Sequence, residues 1–426
     1  MTQDRALHTT GEGLRIVSEP LPGVRSVALG VWIGVGSRFE RADEGGISHF
    51  IEHLLFKGTD RFSAAGIAEA FDAIGGEVNA ATGRDHTVVY TRVLDEHLEQ
   101  AFDVISDMLQ RPVFRELEQE RQVILEEILM YEDDPGDQVH DLIGEAVFPD
   151  QPLGRPVIGT AQVIGALPPD HIRAFHAGHY TAGNVVVAAS GSIAHEELVR
   201  LSEQYLGGMG TGPAHDVEPA APGAPRLVAR AKPVEQYHLA LGGPGLDRSD
   251  DRRHAMGVLD VILGGSMSSR LFQEIREKRG LAYAVGSYSV GFSDSGQVGV
   301  YLGTREDNLV EAAQVIGREL RRMGEEPVPE PELARAREHL KGRLVLGLES
   351  PSTRMHRIGR AVLGGTELLD VDELIARIDA VTADDVAALA REFWDPSRMS
   401  VAAIGPGTDP VRQAASHLAP DLVEAA

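Results

Sequence analysis

Cysteine is absent from the 426-residue sequence, which excludes disulfides and thiolate metal ligands; any metal must be held by His, Asp or Glu. Bases are in short supply, with 40 Lys and Arg against 65 Asp and Glu, for a formal charge of -25. That balance repels nucleic acid and anionic membrane, and draws in cationic ligands if the acids line a cavity. Acids spread over the surface for solubility would give the same count. Long apolar runs are also missing: residues 27–35 and 185–189 are too short to cross a bilayer and read as buried strands. The first seven residues lack the basic start and apolar run of a signal peptide, so the expected location is the cytoplasm.

What is present is an ordinary globular composition, 42% hydrophobic and 25% charged, in a chain long enough for two domains or more. Its most informative stretch is His49-Phe50-Ile51-Glu52-His53. On a helix, residues three and four apart share a face, so two imidazoles and a carboxylate converge. This is the inverted zinc motif H-x-x-E-H, in which two histidines bind the metal and the glutamate reaches a water.

Residues 14–35 read as a β-hairpin leading into the motif helix. Residues 62–74 carry a helical pattern stopped at Gly75-Gly76, followed by a strand over 87–93 and an amphipathic helix over 94–109. Residues 114–131 form a longer helix on which Glu120 and Glu127 are seven apart and share a face with Val123, Ile124 and Ile128, while Glu126 points to water. A carboxylate on an apolar face needs a partner. Glu127 is therefore the candidate third metal ligand, with Glu120 one layer back; burial of the pair against arginine is the competing explanation. The helix opened by Pro168-Pro169-Asp170 carries His171, His176 and His179, whose offsets do not place all three on one face, so they read as packed or surface histidines.

A Gly-, Pro- and Ala-rich stretch divides the chain into 1–208, a linker over 209–226, and 227–426. The second half repeats the first: Val89-Tyr90-Thr91-Arg92 matches Val300-Tyr301-Leu302-Gly303, and the run from Ile164 to Gly191 matches that from Ile378 to Gly405. The fold expected is α+β, two homologous sandwich-like halves with mixed or antiparallel sheets and helices packed on one face. Only the first half carries H-x-x-E-H.

Several blocks in order now resemble the pitrilysin, insulysin and mitochondrial processing peptidase family, in particular its short bacterial members similar to the processing peptidase β-subunit. They are the run from Gly45 to Thr59, Gly75-Gly76 with Asn79-Ala80 and Thr82, Glu120 to Glu127, Pro152-Leu153-Gly154, and Ser268 to Glu277. The resemblance implies a zinc metalloendopeptidase binding one Zn2+ per chain through His49, His53 and Glu127, with Glu120 behind the site and Glu52 as general base. It implies that Asn79 and Ala80 receive the substrate as an added strand, and that Arg276 and Tyr283 complete the site. It further implies peptide substrates taken in short unfolded or presequence-like form into an enclosed chamber. A homodimer, or pairing with a related chain, would complete the active site across subunits, with neither nucleic acid nor membrane as partner. The alternative is a non-catalytic core or scaffolding subunit of a processing-peptidase-like complex. Hydrolysis of a non-peptide substrate is a third reading that no other stretch supports.

Overall fold

The computed structural model describes residues 5–419 and 422–424. Among these, one six-stranded sheet comprises β1 (Ala6–Thr9), β2 (Arg15–Pro20), β3 (Ser26–Ile33), β4 (Glu77–Thr82), β5 (Thr87–Leu94) and β6 (Val185–Gly191), in the order β1-β2-β6-β3-β5-β4. A second comprises β7 (Arg226–Ala231), β8 (Tyr237–Gly245), β9 (Ala282–Gly291), β10 (Gly296–Thr304), β11 (Ser400–Gly405) and β12 (Val423–Glu424), in the order β12-β7-β11-β8-β10-β9. Late strands β6 and β11 insert at the same place, and β4 and β9 each form a free end. The architecture is a duplicated α+β fold.

The hairpin expected over residues 14–35 is not formed. β2 and β3 are separated by β6, which runs parallel to β2 and antiparallel to β3. All seven residues of β6 are buried. A run that apolar belongs in the middle of a sheet, with neighbours on both edges.

Helices α1 (Ile47–Leu55), α2 (Ala64–Asp72) and α3 (Leu98–Gln110) belong to the first sheet's core. α2 gives way to Gly75, whose φ of 61° is the left-handed conformation a helix stop requires. The inward residues Ile16, Leu29, Val31 and Val187 pack with Phe50, Leu54, Phe102 and Ile105 in one buried cluster. The opposite face is not bare: Val17, Trp32, Val186 and Ala188 meet Met355 and Ile358 of the helix Pro351–Leu363.

That helix comes from the second half of the sequence, so a single cut at 209–226 does not separate the compact units. One unit draws on residues up to Leu129 together with Pro156–Glu218 and Val345–Asp370. The other draws on Met130–Arg155, Pro219–Leu344 and residues from Val371 onward. α4 (Leu117–Glu132) ends at the first boundary, and α5 (Pro135–Val147), from the first half of the sequence, packs with Ala240, Ala402 and Ile404 of the second sheet. Residues 210–225 have no regular secondary structure. No described helix is long and apolar enough to cross a membrane.

The helix Pro169–His179 packs its histidines singly. His176 is buried, stacks on Tyr180 and bonds the Leu109 carbonyl at 2.9 Å, while His171 bonds Glu44 at 2.7 Å.

One charged contact pins the helix Pro351–Leu363 to its sheet. Glu19 of β2 is fully buried and pairs with Arg354, with Arg357 at 3.7 Å and Arg5 at 4.0 Å. Removing one partner of a buried pair leaves charge uncompensated. Glu19→Ala is expected to destabilise this unit by about 3–5 kcal/mol. Urea unfolding followed by the fluorescence of Trp32, whose ring lies 5.4 Å from His356 on that helix, measures the shift.

Candidate metal centre

The composition of α1 decides its orientation. Ile47, Phe50, Ile51, Leu54 and Leu55 fall at helical spacing and are fully buried, leaving half-buried His49, Glu52 and His53 on the remaining face. The helix starts at Gly46, with φ 92°, where a Cβ would lie 2.6 Å from the Ile158 carbonyl oxygen. A capping side chain is therefore excluded at that position. Glu40 supplies the cap from upstream: its buried carboxylate accepts the backbone N–H groups of Gly46 at 2.7 Å and Ser48 at 2.9 Å.

α4 brings the third group. Its buried stripe runs through Leu117, Glu120, Arg121, Ile124 and Ile128. Val123, expected on that face, lies outside the stripe and is 46% exposed. Glu127 borders it, and Glu126 is exposed. Glu127 Oε2 lies 3.9 Å from His49 Nε2 and 3.5 Å from His53 Nε2. One ligating atom from each of the three residues falls within 4.8 Å of the others. Zinc at about 2.0–2.1 Å from tetrahedral ligands sets those ligands roughly 3.4 Å apart, close to these separations. Glu127 Oε2 is also a buried oxygen with no hydrogen-bond partner in the protein, as a metal ligand requires. The donor set fits a zinc ion.

The surrounding groups prepare each side chain differently. Glu120, buried, bonds His53 Nδ1 at 2.8 Å and Lys57 Nζ at 2.7 Å, which leaves His53 Nε2 facing Glu127. Burial pushes Glu120 up, but the bonds from His53 and Lys57 outweigh it and hold the carboxyl below its ordinary range. For His53 burial acts downward, and the Glu120 bond with the charges of Glu127, Glu120 and Glu52 overcomes it, so the imidazole is raised. His49 has no such carboxylate bond; burial, with a smaller push from His53, lowers it to about 4 and keeps it neutral. Burial raises Glu52, partly offset by a hydrogen bond from Thr82 Oγ1 to its Oε2 at 2.5 Å. Glu52 is outside the three-residue ligand set.

Asn79 and Ala80 lie on β4, which pairs with β5 alone among the described strands and forms one edge of its sheet, opposite β1. The Ala80 N–H donates to Asn79 Oδ1 at 2.8 Å. In the other unit, Arg276 and Tyr283 are held together: the guanidinium carbon sits 4.1 Å from the Tyr283 ring centroid, and Nη1 donates to the Tyr283 carbonyl at 3.4 Å. Tyr283, near the start of β9, is 80% exposed. Three contacts were not anticipated from sequence. Lys57 stands four residues after His53, a helical spacing that could have revealed it. Glu40 and Thr82 meet the helix from separate elements, and no spacing rule reaches them.

Residues 15–161 match the family model described as Insulinase (Peptidase family M16), and residues 166–340 the model described as Peptidase M16 inactive domain. A Streptomyces coelicolor protein named an uncharacterized zinc protease is 47% identical over 407 residues, covering 93% of this chain and 88% of the relative. The Bacillus subtilis protein named uncharacterized zinc protease YmxG is 41% identical, covering 91% of this chain and 95% of the relative. Among solved structures, a peptidase M16 inactive domain from Pseudomonas fluorescens superposes with TM-score 0.88 at 22% identity, over 95% of this chain and 98% of that one. A protease from Helicobacter pylori gives TM-score 0.88 at 21% identity, over 95% and 100%. At those identities the two structures speak for the fold, while the family models and curated relatives place the sequence: the chain belongs to peptidase family M16.

Proposed function

We propose that the chain is a zinc metalloendopeptidase that takes an extended, unfolded peptide along β4 and hydrolyses it beside α1. The observation that carries this reading is the convergence of His49, His53 and Glu127 into one ligand set, with the carboxylate of Glu52 on the same helix face left out of it. Zinc held by these three side chains supplies Lewis acidity and a water of lowered pKa. Glu52, raised by its burial, takes the proton released as water adds to the scissile carbonyl and returns it to the departing amine nitrogen. Glu120 and Lys57 keep the His53 ring in its ligating orientation.

The free edge of β4 receives the peptide as an added strand, a mode that binds backbone more than sequence. A peptide carbonyl would take the place of Asn79 Oδ1 at the Ala80 N–H. A cavity of about 550 Å³ beside the start of β4, lined by Phe71, Asp72, Glu77, Asn79, Tyr90 and Ser352 among others, gives side chains room. The formal charge of -25 suits basic, presequence-like peptides. Arg276 and Tyr283, already stacked, are assigned to the oxyanion of the tetrahedral intermediate. The family resemblance supports a homodimer enclosing a chamber in which that pair reaches the site from the other subunit. Ligands, base and the Arg276–Tyr283 pair in one chain argue against the scaffolding alternative.

Three outcomes are expected. Incubation with a mixed peptide pool and mass-spectrometric readout should give cleavage that a chelator abolishes and that Glu52→Gln lowers by at least about 1,000-fold while zinc stays bound; a chelator-insensitive result would return the chain to the scaffolding reading. Zinc affinity should fall as pH drops through the raised pKa of His53, because the proton on that ring must leave before the metal binds, whereas His49 is neutral down to about pH 4. Calorimetric titrations in buffers of different ionisation enthalpy should accordingly register proton release that grows as the pH is lowered through that raised pKa, and His53→Ala should abolish zinc binding. Finally, mixing inactive Glu52→Gln and Tyr283→Phe chains should recover part of the wild-type rate in mixed dimers; dimers shown to form without recovery would place the pair in the same subunit.

A further inference from the structure

We infer that Thr82 is the positioning residue for the base, and that it ties the orientation of Glu52 to the strand that receives the peptide. This rests on the reading of Glu52 as the base. Thr82 is the last residue of β4, two positions beyond Ala80. Its Oγ1 lies 2.5 Å from Glu52 Oε2. Its cross-strand neighbour is Thr87, whose hydroxyl is buried and donates to the Val35 carbonyl at 2.9 Å, with the two threonine oxygens 3.5 Å apart. The Thr87 proton is committed to a backbone acceptor, so the Thr82 hydroxyl gives its own proton to the carboxylate. The Thr82 backbone N–H bonds this carboxylate as well, so residue 82 grips Glu52 through both main chain and side chain, and the hydroxyl is what holds Oε2. Without the hydroxyl the carboxylate keeps the main-chain bond alone and gains freedom about its last side-chain torsion, which is broad and roughly two-fold. Because the hydroxyl and the Ala80 N–H sit on one short strand, the register of an added peptide and the placement of the base become one geometric quantity.

The test is steady-state and single-turnover kinetics on a fluorogenic peptide, with zinc content and apo-protein melting measured for each variant. Thr82→Val keeps the shape of the side chain and removes the donor. It is expected to lower kcat about 10- to 100-fold, the span of a hydrogen bond to a charged group, with KM and zinc content near wild type. Thr82→Ser restores the donor and should recover most of that loss. In a Glu52→Gln background, Thr82→Val should cost nothing more, because the group it orients is gone. A wild-type kcat in Thr82→Val, a change in KM alone, a Thr82→Ser as impaired as Thr82→Val, or a full additional loss on Glu52→Gln each overturns the inference. Should Thr82→Val not fold, Thr82→Ala carries the same expectations. Unchanged activity in Glu52→Gln itself would instead sink the assignment of the base, independently of Thr82.

Discussion

The centre depends on how one nine-residue helix is seated. Five apolar side chains of α1 enter the close-packed core and a buried carboxylate from Glu40 holds its first turn, so both its axis and its rotation are fixed. His49, Glu52 and His53 inherit their directions from that seating. Gly46 shows the same constraint from the other side: the Ile158 carbonyl comes so close that the start of the helix must be capped from elsewhere. Around this rigid piece the remaining contacts are adjustments, with Glu120 and Lys57 acting on one ring and Thr82 on one carboxylate.

Environment divides labour among side chains of similar chemistry. His49 and His53 are adjacent, with rings 4.6 Å apart, yet burial lowers the first while carboxylates raise the second. Glu52 and Glu120 differ in the same way. Glu52 is raised by desolvation that Thr82 and the charge of His53 offset only in part, whereas Glu120 is held down by a histidine and a lysine. A carboxyl raised above its ordinary range and another held below it are different outcomes for one residue type, and surroundings rather than composition decide between them.

Much of this was legible in the sequence because it depends on local periodicity. The spacing within His49-Phe50-Ile51-Glu52-His53 implies the shared face, and a turn count along residues 114–131 separates Glu127 from Glu126. The repeated blocks announced two sheets of the same wiring, as the strand orders have it. What periodicity could not supply were contacts between distant segments. Glu40 reaches α1 from outside it, Thr82 reaches Glu52 across thirty residues, and β6 inserts between two strands that looked like a hairpin. Val123 was misplaced because a helical wheel does not say how wide the buried stripe is.

The helix Pro351–Leu363 gives the duplication a further consequence. Every strand of the first sheet has been made by Gly191, but the helix that covers the face bearing Trp32, Val186 and Ala188 is encoded far downstream. On the ribosome that face stays open while the linker and most of the second sheet are synthesised. Folding of the unit that carries the candidate centre is therefore completed only late in translation, with an apolar surface waiting in the interval, the condition under which large chains call on chaperones.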